Sequence, residues 1–378
     1  MENYDFIVIG GGIAGACAGF ALAGHGRVVL LEREQHVAYH STGRSAALYT
    51  VAGSSLTVRG LTLASKRFFL QPPPGFSEAP LLTPRGALFV ARPDQQELLD
   101  ALMLRTSSLA EEFSRFSVAR AREIVPVLRE DYVAGAVYEP GCMGIDVHAL
   151  HQGYLRNIKR NAGAVLTGAG VTSLERAGRQ WQVRTGRHTF AAPTVINAAG
   201  AWADQIATLA DLQPVNLQPM RRTVVLFDPP PDVDIRAWPA VMDIGEQFYF
   251  KPESGSILAS PADETPMKPC DAHPDEIDVA LAIDRVNAAA NLPVRRIVKR
   301  WAGLRSFVAD RLPVVGYDAE AEGFFWFAGQ GGFGIHTSPA MGQLCASLVL
   351  HKGVPPEIAA FGISDAQLSP ARFKGPSL

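Results

Sequence analysis

The chain has 378 residues and a formal net charge of −2 at pH 7. This charge excludes the basic field of a nucleic-acid binder, and the 47% hydrophobic content is enough for large cores. The length predicts two domains, contiguous or interleaved. None of the four cysteines forms a Cys-x-x-Cys pair, so we predict no metal site and no disulfide framework. The chain has no apolar run of 18 residues and no signal-peptide pattern. It is therefore predicted to lack a spanning helix and to be cytoplasmic, with peripheral contact to the inner membrane left open.

The first unit along the chain is predicted to be a strand, a glycine-rich turn, a helix and a second strand. Residues 4–9 are apolar and predict a short strand, and residues 13–24 are small and apolar, which favours a helix packed close under a sheet. Residues 27–31 predict the second strand, which ends at Glu32. The turn carries the pattern Gly-x-Gly-x-x-Gly, formed by Gly10, Gly12 and Gly15.

This arrangement indicates a dinucleotide-binding unit, because each glycine has a physical role. Gly10 allows the tight turn, Gly12 lets the backbone approach a pyrophosphate, and Gly15 lets helix and strand touch. The pyrophosphate would lie at the positive end of the helix. Glu32 is placed to accept hydrogen bonds from a ribose, which disfavours the 2′-phosphate of NADP and leaves NAD and FAD open.

The segments that follow alternate between polar loops and amphipathic elements. Residues 40–47 are polar and small, and they either present amides and hydroxyls to a flat ligand or form a plain loop. Residues 55–70 carry apolar residues at helical spacing, and residues 81–91 predict a pair of strands around a turn at 84–86. Asp146 reads as the N-cap of a helix that ends at Gly163.

The second half of the chain contains another segment of small residues that could lie close to a ligand. It also contains a β-rich stretch. Residues 194–202 run from a buried strand into small residues, so the nucleotide domain is predicted to resume there. Residues 220–262 are β-rich, and alternation puts Arg222 on one strand face with aliphatic side chains. Because a charged group on such a face needs a partner, Arg222 is a candidate binding residue, as is Arg305, which also lies among apolar residues.

Near its end the chain predicts another strand, glycine loop and helix. Residues 324–328 are fully apolar and lead into the glycine loop at 329–334. The last helix is predicted to run from Pro339 to about His351, with Ser338 as its N-cap. The nucleotide-binding domain is predicted to comprise residues 1–50, 146–215 and 300–365. The β-rich domain is predicted to comprise residues 51–145 and 216–299, and residues 366–378 are predicted to form an irregular tail.

The motifs and their order resemble the D-amino-acid oxidase family of FAD-dependent oxidoreductases over nearly the whole chain. The resemblance extends to the bacterial D-arginine dehydrogenase branch through residues 39–47 and 301–310. It implies an α/β fold in which a Rossmann-like FAD-binding domain is interleaved with a β-rich, mixed-sheet α+β substrate domain. It also implies FAD over NAD, bound noncovalently, because the loop 329–334 has no cysteine.

The resemblance further implies which residues hold the cofactor. They come from the glycine turn, the segment after Glu32, the two later small-residue segments and the start of the last helix. The implied cofactor residues are Gly10, Gly12, Ile13, Ala14, Gly15, Glu32, Arg33, Thr42, Gly43, Arg44, Ser45, Ala46, Ala47, Val171, Ala198, Gly200, Trp202, Gly303, Arg305, Gly331, Gly332, Gly334, Ile335, His336 and Thr337.

The same resemblance implies that Arg222 and Arg305 clamp a substrate carboxylate and that Tyr249 hydrogen-bonds the carboxylate or the amine. The implied substrate pocket comprises Leu48, Gly53, Ala87, Met242, His336 and Gly332. Members that favour cationic substrates place an acid in the region matching 85–89, and this chain has none there. We therefore expect oxidative deamination of a neutral, hydrophobic D-amino acid, with hydride transfer from Cα to flavin N5, to a 2-oxo acid and ammonia.

Three alternatives stay open from the sequence. The substrate could be an N-alkyl or imino amino acid, sarcosine-like or proline-like, or a 2-hydroxy acid. The enzyme could be an oxidase or a dehydrogenase, with a quinone or another acceptor than O₂ expected. The chain could also be a non-catalytic flavin-binding subunit that needs a partner, and its oligomeric state is open.

Overall fold

A computed structural model describes residues 1–53, 55–109 and 112–373. The helices are α1 (Ile13–Leu22), α2 (Leu56–Leu70), α3 (Gln96–Thr106), α4 (Val118–Ile124), α5 (Val147–Arg160), α6 (Ala203–Leu209), α7 (Glu276–Ala289), α8 (Gly334–Val349), α9 (Pro356–Ala359) and α10 (Asp365–Leu368). Short 3₁₀ turns cover Thr42–Arg44, Pro93–Gln95, Gly200–Trp202 and Pro370–Phe373.

The strands are short in the first half of the chain and reach their greatest length in the second. They are β1 (Glu2–Asn3), β2 (Phe6–Ile9), β3 (Val28–Leu31), β4 (Leu48–Tyr49), β5 (Leu82–Pro84), β6 (Ala87–Ala91), β7 (Ser114–Phe116), β8 (Gly135–Glu139), β9 (Met143–Ile145), β10 (Ala164–Leu166), β11 (Val171–Ala177), β12 (Gln180–Thr185), β13 (His188–Ala192), β14 (Thr194–Asn197), β15 (Gln218–Phe227), β16 (Ala240–Asp243), β17 (Tyr249–Glu253), β18 (Ser256–Ser260), β19 (Thr265–Pro266), β20 (Ile297–Phe307), β21 (Val314–Tyr317) and β22 (Phe324–Ala328).

A six-stranded sheet carries the predicted nucleotide unit, in the order β10-β3-β2-β14-β22-β21. Neighbouring strands are parallel except β21 and β22. The carboxyl ends of β2, β3, β14 and β22 therefore meet at one edge, and the glycine turn, Glu32, the small residues after 197 and the loop at 329–334 all follow these ends. This is the edge at which open parallel sheets bind ligands.

Both faces of this sheet are covered, which explains its near-continuous apolar strands. One face packs against α1, α2, α5 and α8 in a core that includes Val8, Leu30 and Phe325. The other face packs against α6 and a four-stranded sheet of β1, β13, β12 and β11, in which only β1 and β13 pair in parallel, with Ile7 and Trp326 in the core between them. Alternate residues of each strand thus enter opposite cores.

A nine-stranded mixed sheet forms the β-rich part, in the order β19-β15-β18-β17-β16-β6-β8-β7 with β20 paired to β15. The predicted domain boundary at residue 300 falls within β20, which pairs with β15 from Ile297 to Phe307. Long antiparallel pairing, invisible in the local sequence, places this strand in the larger sheet. The domain bounds stay predictions.

The strand pair predicted within residues 81–91 is also corrected. Its two strands lie in different sheets, since β5 pairs with β9 whereas β6 pairs with β8 and β16. Gly86, between them, has φ +73°, and a Cβ there would lie 2.5 Å from the Tyr138 hydroxyl oxygen. The glycine thus redirects the chain from one sheet to the next instead of closing a hairpin.

The last long helix begins earlier than predicted. It runs from Gly334 to Val349 with Phe333 at its N-cap, so Pro339 lies inside the helix. The preceding loop has already turned at Gly331, where φ is +55°, which leaves Gly334 free to start the helix. The backbone amide of Ala340, the residue after Pro339, donates to Ser65 Oγ at 3.1 Å.

The tail is more regular than predicted, up to the last described residue. Helix α10 and the turn Pro370–Phe373 fall within the segment predicted to be irregular, and Leu368 is fully buried. Arg372 holds this segment through an ion pair of 2.7 Å with Asp310. Residues 374–378 lie outside the described ranges. Within those ranges, no helix is both long and apolar enough to cross a bilayer.

Candidate active site

A cavity of about 930 Å³ lies along the carboxyl edge of the six-stranded sheet and extends to the face of the nine-stranded sheet. Its volume falls in the range of small-molecule and cofactor sites. Most of the predicted cofactor residues line it: Gly10, Gly12, Ile13, Ala14, Glu32, Arg33, Thr42, Arg44, Ser45, Ala46, Ala47, Val171, Ala198, Gly200, Trp202, Gly303, Arg305, Gly331, Gly332, Gly334, Ile335 and His336.

The glycines of the first turn are fixed by close contacts. A Cβ on Gly15 would lie 1.8 Å from the Gly10 carbonyl oxygen, so only glycine lets α1 approach the turn this closely. Gly10 has φ +111°, and a Cβ there would lie 2.5 Å from the Ala198 carbonyl oxygen. Gly15 therefore supports the turn from behind and does not line the cavity.

The start of α1 is held by a buried hydrogen bond. The Ile13 amide donates to Thr42 Oγ1 at 2.9 Å, which ties the turn to the segment after β3. The Glu32 carboxylate accepts from the Gly11 amide at 2.7 Å and from the Glu34 amide at 2.8 Å. Glu32 thus shapes the turn, while each of its oxygens keeps a lone pair for a ribose.

The segment at residues 39–44 is fastened to the opposite side of the cavity. Arg44 forms an ion pair with Asp271 and donates to the Ala302 carbonyl at 3.0 Å. Asp271 also accepts from the Tyr39 hydroxyl, and the Arg44 guanidinium lowers the pKa of the Asp271 carboxyl below its usual range. Arg33 lies 4.0 Å over the Trp202 ring, which forms one wall of the cavity.

The glycine loop after β22 is pinned to β20, and this brings the cofactor edge beside the predicted clamp. The Gly331 amide donates to the Ser306 carbonyl at 2.9 Å. A Cβ on Gly332 would lie 1.9 Å from Arg305 Nη2 and 2.3 Å from its Cζ. The guanidinium therefore lies flat on the loop, and the glycine is the reason that it can.

The two predicted clamp arginines share one face of the large sheet. Arg222 pairs with Gly303 in the β15–β20 ladder, and Arg305 pairs with Met220, two residues before Arg222. Residues two apart point to the same side, so the two arginines are diagonal neighbours. Tyr249, on β17, lines the same cavity. Burial and the adjacent Arg222 lower the pKa of Arg305 to about 10, which leaves it charged at neutral pH.

Two residues of this site were missed from the sequence. Glu264 lies between the arginines and accepts from Arg305 at 2.9 Å and from Arg311 at 2.9 Å, with Arg222 at 3.5 Å. Arg311 lies 3.8 Å over the Phe307 ring. Glu264 follows an ordinary polar loop, and no local sequence pattern marks it as a site residue. Arg311 directly follows the segment 301–310 that carries the family resemblance, which is the signal that could have found it.

The far end of the cavity is largely apolar, although Arg105 also lines it. Its lining includes three residues of the predicted pocket, Leu48, Gly53 and Met242, and two residues that sequence reasoning missed, Phe89 and Leu102. A Cβ on Gly53 would meet open space. Ala87, also predicted for the pocket, is fully buried and is not among the described lining residues.

The loop that carries Leu48 and Gly53 is anchored by a buried carboxylate. Glu139, fully buried and opposite Ala87 in the sheet, accepts from Thr50 Oγ1 at 2.6 Å and from the Val51 amide at 2.8 Å. Its charge is therefore used to hold this loop. Arg59 adds a bond of 2.9 Å to the Val51 carbonyl.

Three residues that line the cavity have a buried polar atom without a hydrogen-bond partner among the described residues. The atoms are His40 Nδ1, Gln330 Nε2 and His336 Nε2. His336 Nδ1 lies 2.9 Å from the Leu48 carbonyl oxygen and so carries the proton, which leaves Nε2 as a free acceptor. Burial lowers the pKa of His336 to about 4. A flavin ring, which carries hydrogen-bond donors and acceptors along its edge, would offer partners to such atoms.

The remaining predicted residues lie around the cavity edge. Gly43 lines a smaller adjoining cavity of about 540 Å³ together with Thr42 and Ser45. Thr337 is buried in the first turn of α8, where its hydroxyl donates to the Phe333 carbonyl at 2.8 Å, and it does not line the large cavity. The cofactor edge and the clamp nevertheless form one continuous space.

The glycine turn thus shares one cavity with the two mostly buried arginines, Arg222 and Arg305. The sequence matches the model of the FAD dependent oxidoreductase family, DAO, over residues 5–348, and the chain belongs to this family. The predicted fold class is confirmed, and FAD is the cofactor. The place of the chain within the family, next to the D-arginine dehydrogenase branch, stays a prediction.

Individual relatives show the range of the family. The chain is 25% identical to mitochondrial dimethylglycine dehydrogenase of Rattus norvegicus over 94% of its own length and 44% of the relative's. It is 25% identical to glycine oxidase of Geobacillus kaustophilus, with 96% and 97% covered. The chain therefore spans less than half of the first relative and nearly all of the second.

Solved structures give the same fold. Glycine oxidase from Geobacillus kaustophilus superposes with a TM-score of 0.82 at 24% identity, covering 96% of this chain and 98% of that one. L-proline dehydrogenase from P. horikoshii superposes with a TM-score of 0.84 at 20% identity, covering 99% and 98%. At these identities the likeness establishes the fold alone.

Proposed function

We propose that the chain oxidises a neutral, hydrophobic D-amino acid at its Cα–N bond, with release of the 2-oxo acid and ammonia. The observation that carries this proposal is the layout of one cavity, with Arg222 and Arg305 at one end and Leu48, Phe89 and Met242 at the other. Such a cavity fits a molecule with a carboxylate and an apolar side chain. Bound FAD supplies the two-electron oxidation.

The clamp supports a carboxylate because guanidinium groups bind this group through paired, charge-assisted hydrogen bonds. Arg222 and Arg305 are charged and mostly buried, with side-chain exposures of 16% and 20%. In such surroundings a charge-assisted hydrogen bond contributes about 1.5–3 kcal/mol. Their main role is to fix the carboxylate and thereby the position of Cα, which is the part of the reaction that the chain itself controls.

The apolar end supports a neutral side chain. Leu48, Phe89, Leu102 and Met242 offer no charge to a cationic group, and the buried Glu139 is engaged by the loop at 50–51. Burying an unpaired ammonium or guanidinium there would be costly. The D configuration rests on the resemblance of residues 39–47 and 301–310 to the D-arginine dehydrogenase branch.

A second candidate is the oxidation of glycine or of an N-methyl or cyclic amino acid. The names of two relatives favour it: glycine oxidase and dimethylglycine dehydrogenase. These substrates also present a carboxylate to the clamp. They would leave much of the apolar end unfilled, which is why we place this candidate second.

The test is anaerobic reduction of the flavin, followed by its absorbance, with a panel of amino acids. Rapid bleaching by D-leucine, D-phenylalanine or D-methionine, with little from D-arginine, is the expected result. Bleaching only by sarcosine, dimethylglycine or proline would move the assignment to the second candidate. Loss of bleaching by all panel members in an Arg222→Met variant that still binds FAD would tie the activity to the clamp.

We further propose an electron acceptor other than O₂, such as a quinone. Dimethylglycine dehydrogenase, one of the two sequence relatives named above, supports this proposal by its name. Admitting air to the reduced protein tests it, and slow return of the flavin colour is expected. Return within seconds would identify an oxidase instead.

A further inference from the structure

The arginine clamp already contains a carboxylate, that of Glu264. We propose that Glu264 is a built-in competitor of the substrate: it occupies Arg222 and Arg305 in the free enzyme and is displaced by the substrate carboxylate. This inference rests on the proposed function, since it needs the two arginines to bind a carboxylate. It assigns a specificity-determining role to a residue that touches the clamp.

The contacts of Glu264 are those that a substrate would need. One carboxylate oxygen, Oε1, accepts from Arg305 Nη1 at 2.9 Å and lies 3.5 Å from Arg222 Nη2. Burial alone would raise the pKa of Glu264, but Arg311, Arg305 and Arg222 hold it below its usual value. The side chain is therefore ionised at neutral pH and competes as an anion.

The backbone of Glu264 is fixed, so only its side chain can move. The neighbouring Asp263 carboxylate accepts from the Thr223 amide at 2.7 Å and from its hydroxyl at 3.0 Å. Arg222 Nε also donates to the Asp263 carbonyl at 2.8 Å. The Glu264 side chain is 32% exposed, which gives it a path away from the clamp by rotation of its own torsions.

Arg311 provides the place to which the carboxylate moves. Its Nη2 contacts both carboxylate oxygens of Glu264, at 2.9 and 3.0 Å, whereas Arg305 contacts one. The Arg311 side chain is 49% exposed and lies at the outer side of the group. Glu264 can thus release Arg305 and Arg222 without losing its ion pair, and its charge never becomes unpaired.

Competition makes a prediction that simple electrostatics does not. Glu264→Gln removes the charge and should tighten carboxylate binding whether Glu264 competes directly for the arginines or acts on them only through space. Glu264→Asp keeps the charge but withdraws the carboxylate by about 1.5 Å, the length of one carbon–carbon bond, which breaks a 2.9 Å hydrogen bond to Arg305. Competition therefore predicts tighter binding in both variants, and a through-space charge effect predicts it in the first alone.

The experiment titrates the FAD-loaded protein with propionate and follows the change in flavin absorbance, so it requires no turnover. We expect the dissociation constant to fall about three- to tenfold in Glu264→Gln and in Glu264→Asp. Glu246→Gln is the matched control, because Glu246 is an exposed acid that lines the same cavity and acts on Arg305 through space. Its dissociation constant is expected to stay within about twofold of the wild type.

The outcomes separate the two proposals. Propionate that fails to bind the wild type, or that binds equally well after Arg305→Met, would overturn the clamp and this inference with it. Propionate binding that depends on Arg305 but is unchanged or weaker in Glu264→Asp would overturn the competitor role and leave the clamp standing. Equal tightening in Glu264→Gln and Glu246→Gln, with none in Glu264→Asp, would also overturn it, since distant charge alone would then explain the effect.

Discussion

Replacing Gly332 with alanine tests whether the position of the Arg305 guanidinium controls carboxylate binding. A Cβ at this position would lie 1.9 Å from Arg305 Nη2 and 2.2 Å from its Nε, whereas ordinary contact begins near 3.4 Å. The guanidinium must therefore shift by about 1.5 Å. Gly332 does not have a left-handed φ, and the clashing atoms are the end of a flexible side chain, so we expect little change in folding stability.

A shift of this size is enough to break the hydrogen bonds of the clamp. Losing one charge-assisted hydrogen bond costs about 1.5–3 kcal/mol, which corresponds to a roughly 10- to 150-fold weaker carboxylate affinity. We expect this increase in the dissociation constant for propionate and a similar fall in kcat/KM. The midpoint of thermal unfolding should move by less than about 2 °C, because about 1 kcal/mol corresponds to a shift of roughly 1–2 °C in a chain of 378 residues.

A double-mutant cycle with Arg305→Ala identifies the cause. Once the guanidinium is gone, the added methyl group has nothing to displace, so Gly332→Ala should cost nothing further. Gly53→Ala is the matched control in the same cavity, because its Cβ meets open space. Unchanged affinity in Gly332→Ala, or the same loss with and without Arg305, would refute the reasoning.

Three further predictions follow from single contacts. Arg305→Lys keeps the charge but loses the planar fork and should raise KM at least tenfold with little effect on FAD content, measured by steady-state kinetics and flavin absorbance. Thr42→Val leaves the Ile13 amide without its acceptor and should cost about 1–2 kcal/mol of unfolding free energy in denaturant titrations, and weaken FAD retention. His336, with its pKa lowered to about 4 by burial, binds fewer protons when folded than when unfolded. Stability should therefore fall as pH drops from about 6.5 towards 4, and His336→Gln should flatten that dependence in urea titrations at stepped pH; an unchanged slope would contradict it.

The nucleotide edge could be predicted from the sequence because its signals are local. The turn at Gly10 and Gly15 needs a positive φ and an approach that excludes a Cβ, and only glycine meets these needs. The strands of the parallel sheet are short apolar runs, since both faces of the sheet are buried. Each of these features depends on a few consecutive residues.

Other features depend on residues distant in the chain, and sequence patterns were wrong or silent there. Residues 81–91 look like a hairpin, but the two strands join different sheets. Pro339 looks like a helix start, but the helix begins at Gly334, because the loop before it is already turned and pinned to β20. Local propensity is a weak prior wherever packing elsewhere fixes the backbone.

The sequence by itself determined the cofactor-binding turn, the alternation that marked Arg222 as unusual and the family resemblance that paired it with Arg305. Only the tertiary structure decided that these arginines are diagonal neighbours, that Gly332 lies under one of them and that Glu264 lies between them. The physical reason is the distance along the chain between the residues that set each feature. A turn or a strand is set by neighbours along the chain, whereas the clamp is assembled by sheet register and by a loop whose own residues show no sign of the partners that they meet.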